Sequence, residues 1–368
     1  MTSQALSDYL LLALTPYLGP ISFAALLAKF GDASTALSAS PAEIRPCLER
    51  ANQSLPALLE RSAAKAVTAA LAWARQEKGC RLMTLLDDDY PMLLAEGMAP
   101  PPVLFLRGRV ELLSRPMIAM VGSRHATPQA RQTAERLARE VAAVGWTVVS
   151  GFADGIDAAA HRGALHETGG TVGIFGTGID RIYPARHRDL ALDMARQGLL
   201  ISEFPLGTTP NAVNFPRRNR LIAALGRATV VVEAAEKSGS LITARLAGEM
   251  GRDVMAVPGS IYNPQAAGCH KLIREGAKLI TSAQDILEEY PDVFRQPERQ
   301  PELDLSEQKQ DDAQPDELLQ LLGFDAVHPD ELAEKLQLHP AEVYAKLLDL
   351  ELAGAIASVA GGRFQRIE

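Results

Sequence analysis

Short apolar segments that alternate with helical segments fill the middle of this 368-residue chain, and they limit its fold more than any other feature. Each segment is apolar throughout rather than at alternate positions, which is typical of strands buried on both faces. Strands that alternate with helices form a mostly parallel sheet through right-handed crossovers, so we predict an α/β fold. The predicted strands are Met117–Val121, Thr147–Ser150, Thr171–Phe175, Leu199–Ser202, Ala228–Val232, Asp253–Val257 and Lys278–Ile280.

Several predicted strands end in loops whose residue types suit a phosphate group. The segment Gly122–Arg124 follows the first of these strands, and Lys237–Ser240 leads from a later strand into a helix. Glycine lets a ligand approach the backbone closely, serine donates a hydrogen bond, and arginine pairs with two phosphate oxygens. Parallel strands would open these loops on one edge of the sheet. That edge would be cationic and rich in free backbone N–H groups.

A basic cluster and two aromatic side chains accompany these loops. Arg217, Arg218 and Arg220 lie at the start of a predicted helix, directly after Phe215. We interpret Phe215, and Phe152 in an earlier loop, either as platforms on which a nucleic-acid base stacks or as core residues. The sequence leaves both interpretations open.

Asp157 and His161 lie four residues apart on one predicted helix. This spacing would suit a metal site or an acid–base pair. We favour a carboxylate near the positive end of the helix dipole and a hydrogen-bonded histidine. The three consecutive aspartates Asp87–Asp89 are interpreted as a solvated turn, because partner ligands at a recognisable spacing are missing.

Composition and charge indicate a soluble globular protein with an acidic tail. The chain is 47% hydrophobic and 22% charged, and its formal net charge is -8. Residues 301–368 hold 15 acidic and 5 basic residues, so the remaining body has 32 basic and 30 acidic residues. Three scattered cysteines without metal-ligand spacing favour a reducing, cytoplasmic location. We expect no membrane span, because uninterrupted apolar runs are shorter than about 18 residues.

The region before the strands is predicted to be helical. The turn Pro16–Pro20 joins two amphipathic helices and indicates a helix-hairpin-helix or sterile-alpha-motif-like domain over residues 1–90. Such a domain would either touch DNA phosphates or serve packing and dimerisation. A long helix is expected from Pro56 to Glu77, and Gly79–Leu106 is interpreted as a connector because turn-forming residues interrupt it.

The strand region is expected to form a domain over residues 91–290. The region after it is predicted to hold a linker, 291–315, and a winged helix, 316–368. The winged-helix prediction depends on three helices followed by two short strands that Gly361 and Gly362 join. Its third helix is acidic and would repel DNA, so we expect a module for protein interaction or regulation. The predicted elements are helices Asp316–Leu322, Pro329–Leu336 and Pro340–Gly354, and strands Ala355–Val359 and Arg363–Ile367.

Taken in order, the loop sequences resemble those of the DNA-processing protein A family (DprA, also called Smf). Each segment is weakly diagnostic alone, but the ordered set is specific and spans the whole central region. The segments are GSR at 122–124, SGFADGIDAAAH at 150–161, GTGIDRIYP at 176–184, SEFPLG at 202–207, FPRRNR at 215–220, VEAAEKSGSLITA at 232–244 and GRDVMAVPG at 251–259.

The resemblance implies an extended Rossmann-like, doubly wound domain that binds single-stranded DNA without sequence preference, with no enzymatic activity, cofactor or metal. Such proteins are homodimers that protect incoming strands in natural transformation and help load the RecA recombinase against single-strand-binding protein. Asp154 departs from the family, in which this position is often neutral or basic. The predicted DNA-binding residues are Gly122, Ser123, Arg124, Phe152, Phe215, Arg217, Arg218, Asn219, Arg220, Lys237, Ser238, Gly239, Ser240 and Thr243.

The alternative is a nucleotide-processing enzyme with a similar sheet, like the nucleoside-monophosphate phosphoribohydrolases. Those enzymes carry a PGGxGTxxE loop, whereas residues 237–243 lack the glycine run and a glutamate at the matching offset. A dinucleotide fingerprint, a Walker A motif and a nucleophile elbow are also missing from the sequence. The sequence therefore favours DNA binding over catalysis.

Overall fold

A computed structural model describes residues 2–76, 79–291, 318, 322, 326–336, 338–359 and 361–367 of the chain. A nine-stranded sheet forms its centre, with the strand order β1-β2-β6-β5-β4-β3-β7-β8-β9. Strands β3 to β9 run parallel, and β2 lies antiparallel to both β6 and β1. The strands are β1 Cys80–Thr84, β2 Val103–Gly108, β3 Met117–Val121, β4 Thr147–Ser150, β5 Thr171–Ile174, β6 Leu199–Ser202, β7 Ala228–Val231, β8 Asp253–Ala256 and β9 Lys278–Leu279.

The winding of the sheet reverses next to β3. From β3 the chain adds β4, β5 and β6 on one side, then returns to place β7, β8 and β9 on the other. In such sheets the loops at the carboxyl ends diverge at the reversal and leave a crevice in which ligands bind. The predicted doubly wound, mostly parallel α/β fold is confirmed, and the seven predicted strands agree with the structure to within one residue.

Helices cover both faces of the sheet. Ala119 and Val121 face a core with α11 to α13, whereas Ile118 and Met120 face a core with α8, α9 and α14. The alternation of inward side chains between two cores explains why these strands are apolar at every position. The helices up to this point are α1 Ser3–Ala13, α2 Pro20–Phe30, α3 Ala33–Ser38, α4 Pro41–Ile44, α5 Ala51–Leu59, α6 Ala64–Gln76, α7 Met92–Ala95, α8 Pro128–Ala143, α9 Ile156–Ala164, α10 Arg188–Gln197, α11 Asn214–Leu225, α12 Ser240–Glu249, α13 Ala267–Arg274 and α14 Ala283–Leu287.

Two predictions for the first hundred residues are wrong. The segment interpreted as a connector contains β1 and β2, which pair from Cys80 with Arg107 to Thr84 with Val103. The apolar run of β2 is buried, so burial outweighs the turn-forming residues around it. The single helix expected from Pro56 to Glu77 is two helices, α5 and α6, because the chain turns at Arg61, whose φ is 50°.

The first five helices build a core of their own around Tyr9, Phe23 and Leu26, whereas α6 packs against β2 through Val67 and Ala70. Tyr9 and Phe23 meet edge to face with ring centroids 5.0 Å apart, and the Tyr9 hydroxyl donates to the Pro102 carbonyl at 2.9 Å. This second contact joins the helical region to the chain just before β2. A sterile-alpha-motif-like or helix-hairpin-helix identity for these helices stays a prediction.

The described C-terminal residues form helices α15 Pro329–Leu336 and α16 Pro340–Leu352 and the hairpin β10 Ile356–Val359 with β11 Arg363–Arg366. Leu332, Val343 and Leu347 pack in their core with Leu318 and Leu322. The predicted linker falls outside the described residues beyond Pro291, as does most of the predicted helix Asp316–Leu322. No helix in the described ranges is long and apolar enough to cross a membrane.

Candidate functional site

A groove follows the carboxyl edge of the sheet at the reversal of its winding. The loops after β3 and β7 and the first turn of α11 form its walls. Eleven of the fourteen predicted binding residues line this groove, and Phe152, Arg217 and Arg220 do not. The eleven are Gly122, Ser123, Arg124, Phe215, Arg218, Asn219, Lys237, Ser238, Gly239, Ser240 and Thr243.

The floor of the groove is the tightly packed loop after β3. A side chain at Gly122 would come within 2.5 Å of Ile156 and 2.8 Å of the Glu233 carbonyl, so only glycine fits. The Ser123 N–H donates to that same carbonyl at 2.6 Å, and its hydroxyl donates to Gln265 at 3.3 Å. Ser123 is buried, so it fixes the loop rather than presenting a free hydroxyl.

Glu233 holds this floor together from the end of β7. Its carboxylate accepts from the Thr127 N–H and hydroxyl, both at 2.9 Å, and from the Asn263 side chain at 3.3 Å. Thr127 is the N-cap of α8, and Asn263 follows β8. One buried carboxylate therefore joins the segments that follow three adjacent strands, β3, β7 and β8.

Arg124 and Phe215 form the exposed, cationic part of the groove. Arg124 is exposed, and its guanidinium carbon lies 5.5 Å from the centroid of the half-buried Phe215 ring. The ring also lies 2.9 Å from where a side chain at Gly176 would begin, so Gly176 leaves space for it. Within the described chain, Arg124 is not held in an ion pair, which leaves its charge available to an anion.

The turn on the opposite wall combines a lysine with small residues. Lys237 and Gly239 are exposed, and nothing lies within 4 Å of a side chain added at Gly239. The Ser238 and Ser240 hydroxyls lie 2.7 Å apart and hydrogen-bond each other. Ser240 begins α12, and the N–H groups of Ser240, Leu241 and Ile242 already donate to Ser238 or Gly239, so the exposed part of this turn is Lys237 with the Gly239 backbone. Thr243, one turn further, is buried.

Arg218 lies at the inner wall of the groove. It is buried, whereas an arginine that binds phosphate at the surface would be exposed. Its guanidinium donates to the carbonyls of Gly151 and Ile174, and its Nε donates to the Asn219 side chain at 3.2 Å. A side chain at Gly151 would lie 2.7 Å from this guanidinium and from the Asp157 carboxylate. Burial lowers the pKa of Arg218 to about 10, so the group remains a cation at neutral pH.

Arg217 and Arg220 lie outside the groove. Arg217 is exposed over the Phe204 ring at 5.5 Å, and Arg220 pairs with the buried Glu203. Burial raises the pKa of the Glu203 carboxyl, and the Arg220 charge opposes that rise. Arg220 therefore neutralises a buried carboxylate, and its charge is already partnered.

Phe152 is a core residue, so the stacking interpretation does not describe its environment. It is 1% exposed, and its ring lies 4.9 Å from Phe175 and 5.5 Å from His187. Its φ of 60° is in the left-handed region that non-glycine residues rarely adopt. The loop thus turns Phe152 inward, beneath a small pocket that Arg124 and Phe215 also line.

Asp157 and His161 take the hydrogen-bonded arrangement rather than a metal site. The Thr171 hydroxyl donates to the Val148 carbonyl, so His161 Nδ1, 2.7 Å away, donates to that hydroxyl. Burial lowers the pKa of His161 to about 3, and its Nε2 has no partner among the residues that the structure describes. Asp157 accepts from the Ala153 N–H at 3.2 Å. No cluster of three or more His, Cys, Asp or Glu in the described chain is placed to hold a metal ion.

Asp154 brings a carboxylate to the small pocket that Arg124 and Phe215 line, but the charge is already paired. Arg186 donates two hydrogen bonds to it, and His187 Nε2 lies 3.1 Å from its Oδ1. The Arg186 hydrogen bonds hold the pKa of Asp154 below its usual range. Asp154 therefore stays an anion, and Arg186 offsets its charge. Because of this pairing, Asp154 cancels less of the positive charge of Arg124.

Three polar residues that line the groove are not among those predicted from the sequence. His125 is exposed beside Arg124, the Tyr183 ring lies 5.7 Å from the Phe215 ring at a tilt of 45°, and Gln265 accepts from Ser123. His125 follows the segment 122–124 and Tyr183 lies within the segment 176–184, so the sequence contained a local signal for both. Gln265 had no local signal, because only the placement of the chain after β8 brings it to the groove.

The comparisons with known proteins agree with this architecture. A family profile described as DNA recombination-mediator protein A matches residues 81–291, and a DprA winged helix domain profile matches residues 297–362. Protein Smf of Escherichia coli K12 is 40% identical over 301 residues, which cover 81% of this chain and 80% of that protein. DNA processing protein DprA of Bacillus subtilis is 43% identical over 220 residues, covering 60% and 74%.

Two solved structures are similar over much of the chain. DNA processing protein A from Streptococcus pneumoniae matches with a TM-score of 0.66 at 36% identity, covering 77% of this chain and 97% of that one. The protein of the same name from Helicobacter pylori matches with a TM-score of 0.52 at 31% identity, covering 58% and 96%. That second structure was described for its single-stranded DNA binding mode.

Proposed function

The chain belongs to the DNA recombination-mediator protein A family, and we propose that it binds single-stranded DNA in the groove without sequence preference. The observation that carries the proposal is the meeting of Arg124 and Lys237, two exposed cations that the described chain leaves without an ion pair, with the Phe215 ring and the exposed Gly239 turn. Cations and backbone N–H groups bind phosphates, and an aromatic ring stacks on any base. The relative from Helicobacter pylori, named for its single-stranded DNA binding, supports this assignment.

The division of labour among the predicted residues follows from their burial. We propose that Arg124, Lys237 and the turn Ser238–Ser240 contact phosphates and that Phe215 stacks on a base. Arg218 and Ser123, which are buried, hold these groups in place. Arg217 lies outside the groove and would contact only a strand that continues past it, whereas Arg220 is held by Glu203.

The finer part of the proposal is a role in recombination during natural transformation. In it the chain protects incoming strands in the cytoplasm as a homodimer and helps load RecA in competition with single-strand-binding protein. The family membership supports this part. It is tested by RecA-driven strand exchange on DNA coated with single-strand-binding protein, with sedimentation velocity for the dimer. Unchanged strand exchange with added protein would refute the loading role.

We propose that the groove acts by binding rather than by catalysis. In the described ranges a metal cluster is missing, and the buried Asp157 and His161 are held by hydrogen bonds. Incubation with nucleoside monophosphates tests the alternative of a phosphoribohydrolase. Release of free base at a rate that Arg124→Ala abolishes would favour the enzyme.

Binding is tested with fluorescently labelled oligo-dT and a duplex of the same length. We expect the single strand to bind more tightly and Arg124→Ala, Lys237→Ala and Phe215→Ala each to weaken it. The Phe215 change should cost about 1–3 kcal/mol, the usual value for one stacked base. Arg245→Ala is the matched control, because Arg245 is an exposed arginine paired with Glu249 outside the groove. Equal affinities for all four variants would refute the site.

A further inference from the structure

Helix α16 exposes a stripe of apolar side chains that the described part of the chain leaves uncovered. Tyr344, Leu348 and Leu352 follow one another at intervals of four residues, and their exposed fractions are 45%, 56% and 80%. Ala341 and Ala345 are also exposed and fall on the same face at 100° per residue. The five residues together make a continuous apolar strip along the helix.

This stripe is distinct from the face with which α16 joins its own core. Val343 and Leu347 are fully buried against Leu332 and Ile356. A surface helix needs one apolar face for its own domain, and its opposite face is normally polar. A helix that is apolar on two faces is typical of one that packs against a second partner.

Acidic residues lie along the margins of the stripe. Glu351 falls on one side of it, and Glu342 and Asp349 fall on the other. Lys346 is the single basic residue of α16, and helical geometry directs it away from the stripe. The stripe is therefore an apolar strip within a negative field.

The negative field selects the kind of occupant. DNA and anionic lipid surfaces carry the same sign of charge and would be repelled. A second copy pairing through α16 would bring acidic margins against acidic margins, which costs free energy. An amphipathic helix with basic residues beside its apolar positions would bury the stripe and pair with the margins.

We propose that α16 docks a basic amphipathic helix of a partner protein, with apolar side chains at i, i+4 and i+8 and Lys or Arg beside them. This inference does not depend on DNA binding, because α16 contributes no residue to the groove. The two activities are therefore separable by substitution. If the protein binds oligo-dT but not the peptide, the docking proposal has failed. If it binds the peptide but not oligo-dT, the DNA-binding proposal has failed.

The test uses the full chain and a synthetic peptide of about 18 residues, long enough to form a helix. The peptide has leucines at the stated spacing flanked by Lys and Arg; one control peptide carries Glu at the flanks, and another scrambles the order. The protein variant is Leu348→Glu with Leu352→Glu, both at exposed positions. Leu59→Glu is the matched control, because Leu59 is 53% exposed on α5.

We expect fluorescence anisotropy to show binding of the basic amphipathic peptide alone. The double variant should weaken it at least about tenfold, or about 1.4 kcal/mol, while Leu59→Glu leaves it unchanged. Oligo-dT affinity should be the same for all three proteins. Failure of the peptide to bind, equal binding of the scrambled peptide, or binding that the double variant retains would overturn the proposal. Self-association or vesicle binding that the double variant abolishes would also overturn it.

Discussion

Three neighbouring arginines on α11 occupy three different environments, and burial assigns their roles. Arg217 is exposed over an aromatic ring, Arg218 is buried against backbone carbonyls, and Arg220 pairs with a buried carboxylate. The sequence could identify a basic cluster beside a groove. It could not tell which member faces inward, because that depends on how α11 is rotated against the sheet.

Removing Arg218 should destabilise the fold before it affects binding. Arg218→Ala leaves the carbonyls of Gly151 and Ile174 without a donor, and each buried orphan costs about 1–3 kcal/mol. Urea denaturation measures this loss, with Arg217→Ala as the control at an exposed position. The free energy of unfolding of the control should stay within about 0.5 kcal/mol of that of the unchanged protein. Similar losses for both variants would contradict it.

His161 predicts a pH dependence of stability with a definite sign. Its pKa falls from 6.5 to about 3 on folding, chiefly through burial, so the unfolded chain binds a proton that the folded chain excludes. The contribution of the neutral, buried His161 to the free energy of unfolding is fully present above pH 6.5 and is lost as pH falls toward 3. His161→Gln should reduce the slope of unfolding free energy near pH 5 by about 1.4 kcal/mol per pH unit.

The slope is measured by urea denaturation at several pH values. His166→Gln is the control, because His166 is an exposed histidine that hydrogen-bonds Gln197. A slope that His161→Gln leaves unchanged would mean that the folded chain accepts a proton at this position.

At the scale of elements, the groove depends on loops that Glu233 joins. Glu233→Ala removes the acceptor for the N-cap of α8 and for Asn263, which should lower stability and loosen the loop that carries Arg124. Glu233→Gln retains one acceptor oxygen, so its losses should be intermediate. Denaturation and oligo-dT affinity should follow the order Glu, Gln, Ala. Full oligo-dT affinity in the alanine variant would show that the loop needs no such support.

The elements themselves were predictable to different degrees. Strands buried on both faces, such as β3 and β7, carry an uninterrupted apolar signal and were placed to within one residue. β1 and β2 were missed, because proline and aspartate in the chain between them indicate turns while pairing across a distance fixes the strands. Contacts such as Ser123 with Gln265 depend on the pairing of β7 with both β3 and β8, so local sequence contains no signal for them.

In the whole molecule, the two proposals assign separate tasks to the acidic tail and to the sheet. The described tail touches the body where the Gln365 side chain donates to Gln129 at 2.6 Å, on α8 and away from Arg124. Deleting residues 316–368 should therefore leave oligo-dT affinity unchanged and abolish binding of the basic peptide. Loss of oligo-dT affinity in a deletion that remains folded by circular dichroism would place part of the DNA site in the tail.

The central claim is that Arg124 and Lys237 neutralise phosphates of one strand. The most direct measurement is oligo-dT affinity as a function of salt for the unchanged chain and for Arg124→Ala with Lys237→Ala. Each phosphate contact contributes about 0.7 to the slope of log affinity against log salt, so losing both should reduce it by about 1.4. Arg245→Ala should leave the slope unchanged. An unchanged slope in the double variant, whatever its affinity, would contradict the claim.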